Sequence, residues 1–190
     1  MKAKTVQVKK LALVSIFSAL AVVIAPFAWF EFLGTKANPT QHTVNALLGV
    51  LVGPFWAAIA AIIIGIIRNA LGVGSVYAFP GGIPGGIVVG AVYWLLKQFR
   101  LNEKIRIASA LTEPLGTVLI GANLSLFLVA PWMGTERTLD LLSKEGPLLA
   151  YLIFGAGWAF SSVPGSILGF AILLILSRVG ISREMLFGEE

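Results

Sequence analysis

The chain is a succession of long apolar runs, each broken by a short cluster of polar residues, prolines and glycines. The runs are continuous and do not alternate with period two, so they read as helices and not as barrel strands. A bilayer crossing takes about 20 apolar residues at 1.5 Å rise each. By that measure the pattern predicts six helices, over residues 11–30, 42–52, 55–71, 84–96, 107–130 and 148–176. The second and fourth are shorter than a full crossing. Segments 31–41, 72–83 and 131–147 connect them on one side, and Gly53-Pro54 and 97–106 on the other. The stretch Phe79–Gly86 is too rich in proline and glycine to be regular helix throughout, and Pro84 is placed to open the fourth helix. The expected fold is an all-α membrane protein: six transmembrane helices in a compact bundle, forming one integral membrane domain over residues 1–190.

Composition supports lipid as part of the solvent. Hydrophobic residues make up 57% of the 190 positions and charged residues 12%, against about 25% charged in soluble domains. Mean hydropathy is +0.91. An ordinary soluble enzyme, a disordered chain and a disulfide scaffold are excluded. The chain has no cysteine and a single histidine, His42, so no thiolate site or multi-histidine metal centre is expected, nor any cofactor. The net charge of +5 reads as topology information, not as a nucleic-acid footprint. Lys2, Lys4, Lys9, Lys10, Lys97, Arg100, Lys104, Arg106, Arg178 and Arg183 fall on one side of the six predicted helices, and Lys36, Arg137 and Lys144 on the other. Cytoplasmic loops carry the excess of Lys and Arg, so both termini are expected in the cytoplasm. The basic start resembles a signal peptide, but the apolar run is too long and Pro26, Phe27 and Trp29 make a poor cleavage site. The run is therefore read as a retained span.

Polar side chains within apolar helices are costly and need a reason. His42 and Asn45 are three apart, on one helical face, and read as ligand-facing. Asn38 and Thr40 read equally as helix caps or site residues, with Pro39 in the first turn. Arg68 either snorkels to headgroups, donates hydrogen bonds to a ligand or serves as counter-ion to Glu113. Asn69 either caps a helix or lines the site. Glu113, before Pro114, is a lone carboxyl that must be neutral, paired or accepting ligand donors. Asn123 lies nearer the outer side. Trp158, with Ser161 and Ser162 after it, can stack a flat ring or simply pack. Tyr77 and Trp132 read as interfacial anchors. Ser15 and Ala19 form a small-residue pair that lets another helix approach. There is no serine–histidine–acid constellation, no close acid pair and no Gly-Lys-Ser/Thr nucleotide loop, which favours binding or transport over covalent catalysis.

The basic start, the Ser15/Ala19 face, the short second helix and the basic inner loop resemble the substrate-binding S components of energy-coupling factor (ECF) transporters. Lys36-Ala37-Asn38-Pro39-Thr40-Gln41-His42, Asn45, Gly49, Gly53-Pro54, Arg68-Asn69 and Phe79–Gly86 resemble the ThiW family more specifically. The resemblance implies uptake of the thiamine precursor hydroxyethylthiazole across a prokaryotic plasma membrane. It also implies a transmembrane coupling protein that contacts the Ser15/Ala19 face, and two cytoplasmic ATPase subunits. Binding outside, toppling and release inside are the implied cycle. For such a ligand Asn38, His42, Asn45, Arg68, Asn69, Glu113, Asn123, Trp158 and Ser161 are the expected binding residues, with 31–41 and 72–83 as a gate. The alternatives are an S component for thiamine or another aromatic precursor, and an uncoupled facilitator.

Overall fold

A computed structural model describes residues 2–32 and 35–188. It is helical apart from one hairpin. Helix α1 (Lys2–Ile24) is followed by strands β1 (Phe30–Phe32) and β2 (Thr35–Ala37), paired antiparallel with Phe30 opposite Ala37. Then come α2 (Pro39–Leu51), α3 (Pro54–Ala70), α4 (Ala78–Gln98), the composite helix α5 (Glu103–Met133), α6 (Glu136–Arg178) and the short α7 (Arg183–Phe187). Among the described residues, four stretches are long and apolar enough to cross a membrane: Lys4–Ile24, Ala78–Gln98, Glu103–Met133 and Glu136–Arg178. The α3 helix is apolar but shorter.

Helix α2 is short because it is the interior rod, not a lipid-facing span. Every residue from Thr43 to Leu51 is buried. It is closed in by glycines on its neighbours. A Cβ on Gly169 of α6 would lie 2.7 Å from the Ala46 Cβ, and one on Gly49 would meet Val89 of α4. Without a hydrophobic drive between helices in lipid, such close contact is what holds the bundle together. The turn into α3 uses Gly53 at φ 93°, a conformation that side chains disfavour, with Pro54 starting the next helix.

Several boundaries differ from the expected ones. Helix α1 begins well before Leu11 and ends at Ile24; Pro26 lies in the turn that follows, and Phe30 belongs to the hairpin. Helix α4 starts at Ala78, so the Phe79–Gly86 stretch is helical and Pro84 sits inside it. Pro80 falls in the first turn, where its missing N–H has no acceptor in any case. Pro84 does remove an interior bond, and Gly116 and Gly121 let the α5 backbone pass close to the Pro84 and Pro80 carbonyls. Helix α5 changes winding along its length, with a 3-10 turn at Ala108–Thr112 and π-turns at Leu115–Gly121 and Ser125–Val129. The expected loop 131–147 is largely helical; Gly146 (φ 73°, ψ 167°) breaks α6 there.

The first turns of α1 and helix α7 meet at one end of the bundle. Lys9 Nζ donates to the Leu186 carbonyl at 3.0 Å, and Lys10 sits over the Phe187 ring. Arg106 Nη1 pairs with Glu184 at 2.6 Å, and Arg183 reaches the Val50 carbonyl at 3.3 Å. Burial pushes the Glu184 carboxyl up, but hydrogen bonds from the α7 backbone and Arg106 outweigh it and hold the group below its usual range.

Candidate functional site

At the opposite end of the bundle, the start of α2, the α3–α4 connection, the start of α4 and the first half of α6 enclose a cavity of about 300 Å³. That is the lower end of the range of about 300–1,000 Å³ for small-molecule sites. Its aromatic wall comes from α6 and the α3–α4 connection. Phe154 and Trp158 are one turn apart with ring centroids 5.3 Å apart, and Tyr77 packs edge-on against both. The Trp158 ring lies against α4 because Gly81 has no side chain; a Cβ there would be 2.9 Å from the indole.

The polar wall comes mainly from α2. Asn38 caps that helix, its side chain accepting from the Gln41 N–H, and its own backbone N–H donates to Ser161 Oγ at 2.9 Å. Capping and site lining are therefore both true of Asn38. Gln41 Nε2 donates to Asn45 Oδ1 at 3.2 Å. Three buried polar atoms on cavity-lining residues have no partner among the described residues: Asn38 Nδ2, Gln41 Oε1 and Arg68 Nε. Buried polar groups are nearly always satisfied, so these three atoms are exceptions beside the cavity.

Beneath this wall lies Glu113, fully buried. Asn45 Nδ2 donates to its Oε1 at 3.0 Å, the Thr117 hydroxyl lies 2.7 Å from the same oxygen, and Ser162 Oγ donates to Oε2. His42 Nδ1 lies 2.8 Å from Oε1. The His42 ring also lines the cavity, and its Nε2 has no hydrogen-bond partner among the described residues. Asn45 uses its second proton on the Gly82 carbonyl at 3.0 Å, which ties the network to α4. No group of three or more potential metal ligands occurs among the described residues.

Of the expected binding residues, Asn38, His42, Arg68, Trp158 and Ser161 line the cavity, while Asn45 and Glu113 form the layer below it. Asn69 does not face it. Its Nδ2 closes the end of α3 on the Gly65 and Ser75 carbonyls, the capping alternative. Asn123 is not brought to the cavity either; it is exposed and donates to the Leu119 carbonyl one turn back. The partner of Glu113 is His42, not Arg68. Arg68 does not snorkel, being 5% exposed. Tyr77, expected as an interfacial anchor, instead lines the cavity and bonds Thr138 at 2.8 Å. Trp132 remains on the exterior. Sequence reasoning missed Gln41, one residue from His42, and Arg137, Thr138 and Phe154, which lie where a loop and an ordinary packing face were expected. Gln41 had a detectable signal, since it sits four residues before Asn45 on the same face. Residues 33 and 34 of the expected gate lie outside the described residues.

Long apolar helices around a small aromatic and polar cavity define a multi-pass membrane protein that holds a small solute, and no nucleophile–base–acid unit appears among the cavity residues. The family model described as thiamine-precursor transporter protein (ThiW) matches residues 11–179. The chain belongs to the ThiW family: it is a thiamine-precursor transporter protein and not an enzyme. Compared with curated proteins and with solved structures, it matches none.

Proposed function

We propose that the chain is the substrate-binding S component of an ECF-type transporter in a prokaryotic plasma membrane, specific for hydroxyethylthiazole. In this reading six helices span the membrane, with both termini cytoplasmic and the cavity opening outward. The observation that carries the reading is the cavity itself: an aromatic wall beside buried, unpartnered Asn38 Nδ2 and Gln41 Oε1. A flat thiazole stacks on Trp158 and Phe154, while its ring nitrogen and hydroxyl satisfy those atoms and His42. Residues 35–38 and 74–82 close over it. Purified protein in nanodiscs, tested by calorimetry, should bind hydroxyethylthiazole far more tightly than thiamine. Equal affinity for the two ligands, or tighter thiamine binding, would refute the specificity.

Energy comes from a transmembrane coupling protein and two cytoplasmic ATPase subunits. Supporting this, α1 has small residues on two faces. Ser18 and Ala21 are buried against the bundle, whereas Ser15 and Ala19 are exposed and leave a shallow track for another helix. Ala19→Leu is expected to leave thiazole binding unchanged while reducing energised uptake in cells at least several-fold. Undiminished uptake would remove this face from the coupling contact, and uptake by the chain without any ATPase would favour an uncoupled facilitator.

A further inference from the structure

The cavity treats its two kinds of charge differently. Glu113 is surrounded by His42, Asn45, Thr117 and Ser162. Arg68, equally withdrawn from solvent at 5% exposure, has only a long 3.4 Å contact from Nη2 to the Val73 carbonyl, and its buried Nε has no partner. No carboxylate pairs with Arg68 among the described residues. A guanidinium is always charged and presents a planar fork suited to carboxylate and phosphate oxygens. Burying such a group without an anion is strongly unfavourable. Arg68 lines the cavity, and Arg137 lines it as well, from α6. Asn38 Nδ2 adds a further unpartnered donor. At Arg68, therefore, the site has donor capacity and a positive charge that a neutral alcohol does not use.

We infer that Arg68 forms an anion subsite in this cavity, and that the preferred cargo is a thiazole bearing an acidic oxygen group, a phosphomonoester or a carboxylate, over the neutral alcohol. This rests on the thiazole-binding reading and revises which thiazole the site prefers. The ring occupies the Trp158–Phe154 wall, and the acidic group meets the Arg68 fork and the Asn38 amide.

The test uses the full chain in nanodiscs and three probes: hydroxyethylthiazole, its phosphate monoester, and the thiazolyl acetate of matching skeleton. At least one anionic probe should bind about tenfold or more tightly than the alcohol, as expected for a charge-assisted hydrogen bond in a dry site. Arg68→Gln should weaken every probe but collapse the anion-to-alcohol ratio to near one. Arg68→Lys, a point charge without the fork, should restore part of that ratio, and it separates loss of charge from misfolding. The proposal is overturned if the alcohol binds at least as tightly as both anions, or if the ratio survives in Arg68→Gln. It is also overturned if inorganic phosphate tightens alcohol binding while neither anionic thiazole has an advantage, since the anion would then be a separate ion. Tight alcohol binding without anion preference would sink this inference alone. Failure of all three thiazoles to bind would sink the thiazole reading and this inference with it.

Discussion

Glu113→Ala should destabilise the protein more than any other single change in the site. The substitution takes a partner from His42 Nδ1, from one proton of Asn45 Nδ2 and from the hydroxyl of Ser162 in a layer that is almost wholly buried. Leaving a buried polar group without its hydrogen-bond partner costs about 1–3 kcal/mol, and the substitution leaves several such groups. Thermal unfolding in nanodiscs should therefore shift down sharply, and thiazole binding should be lost with it, because His42 and Asn45 no longer hold their orientation. Glu113→Gln keeps the shape but turns an amide N–H toward groups that are themselves donors, so it should recover only part of the stability. A Glu113→Ala variant that unfolds within about 1 kcal/mol of the parent, the worth of an ordinary hydrogen bond, would show that the network does not hold the site together.

Trp158→Ala should have the opposite profile: a large loss of binding on a bundle that still folds. The indole is only half-buried and lies on the cavity side of α6, against Gly81. Its removal takes away the face on which a flat ring stacks. A central aromatic anchor contributes about 2 kcal/mol or more to binding, so affinity should fall about thirtyfold or more. Trp158→Phe should retain most of it. Calorimetry with hydroxyethylthiazole reads the loss, and an unchanged affinity in Trp158→Ala would mean that the ring sits elsewhere. The two variants separate cleanly, since one acts through the folded state and the other through the ligand.

Much of this site was legible from residue types alone. His42, Asn45, Glu113 and Arg68 stood out because a polar group in an apolar helix requires a partner. Which partner each takes was not legible. Glu113 and His42 are 71 residues apart in the chain, and only the packing of α5 against α2 brings them to 2.8 Å. Asn69 and Asn123 carry the same amide, yet both bond within or just beyond their own helices. Nothing in a hydropathy pattern distinguishes an asparagine that bonds its own backbone from one that crosses to another helix. Tyr77 illustrates the converse: an amphipathic ring at a predicted helix end reads as a membrane anchor, but the helical segment beginning at Glu136 covers it and makes it cavity wall.

The sequence by itself determined that the chain is a helical membrane protein, roughly where its apolar rods lie, and which few hydrophilic side chains needed explaining. Those properties follow from transfer energies and backbone hydrogen bonding, which act residue by residue. Only the tertiary structure decided that α2 is an interior rod, that the Pro-Gly stretch of α4 stays helical, and that Glu113 is satisfied while Arg68 is not. Those outcomes depend on which helix faces meet, and in lipid that choice rests on close van der Waals fit between small residues on different helices, a property no single segment carries.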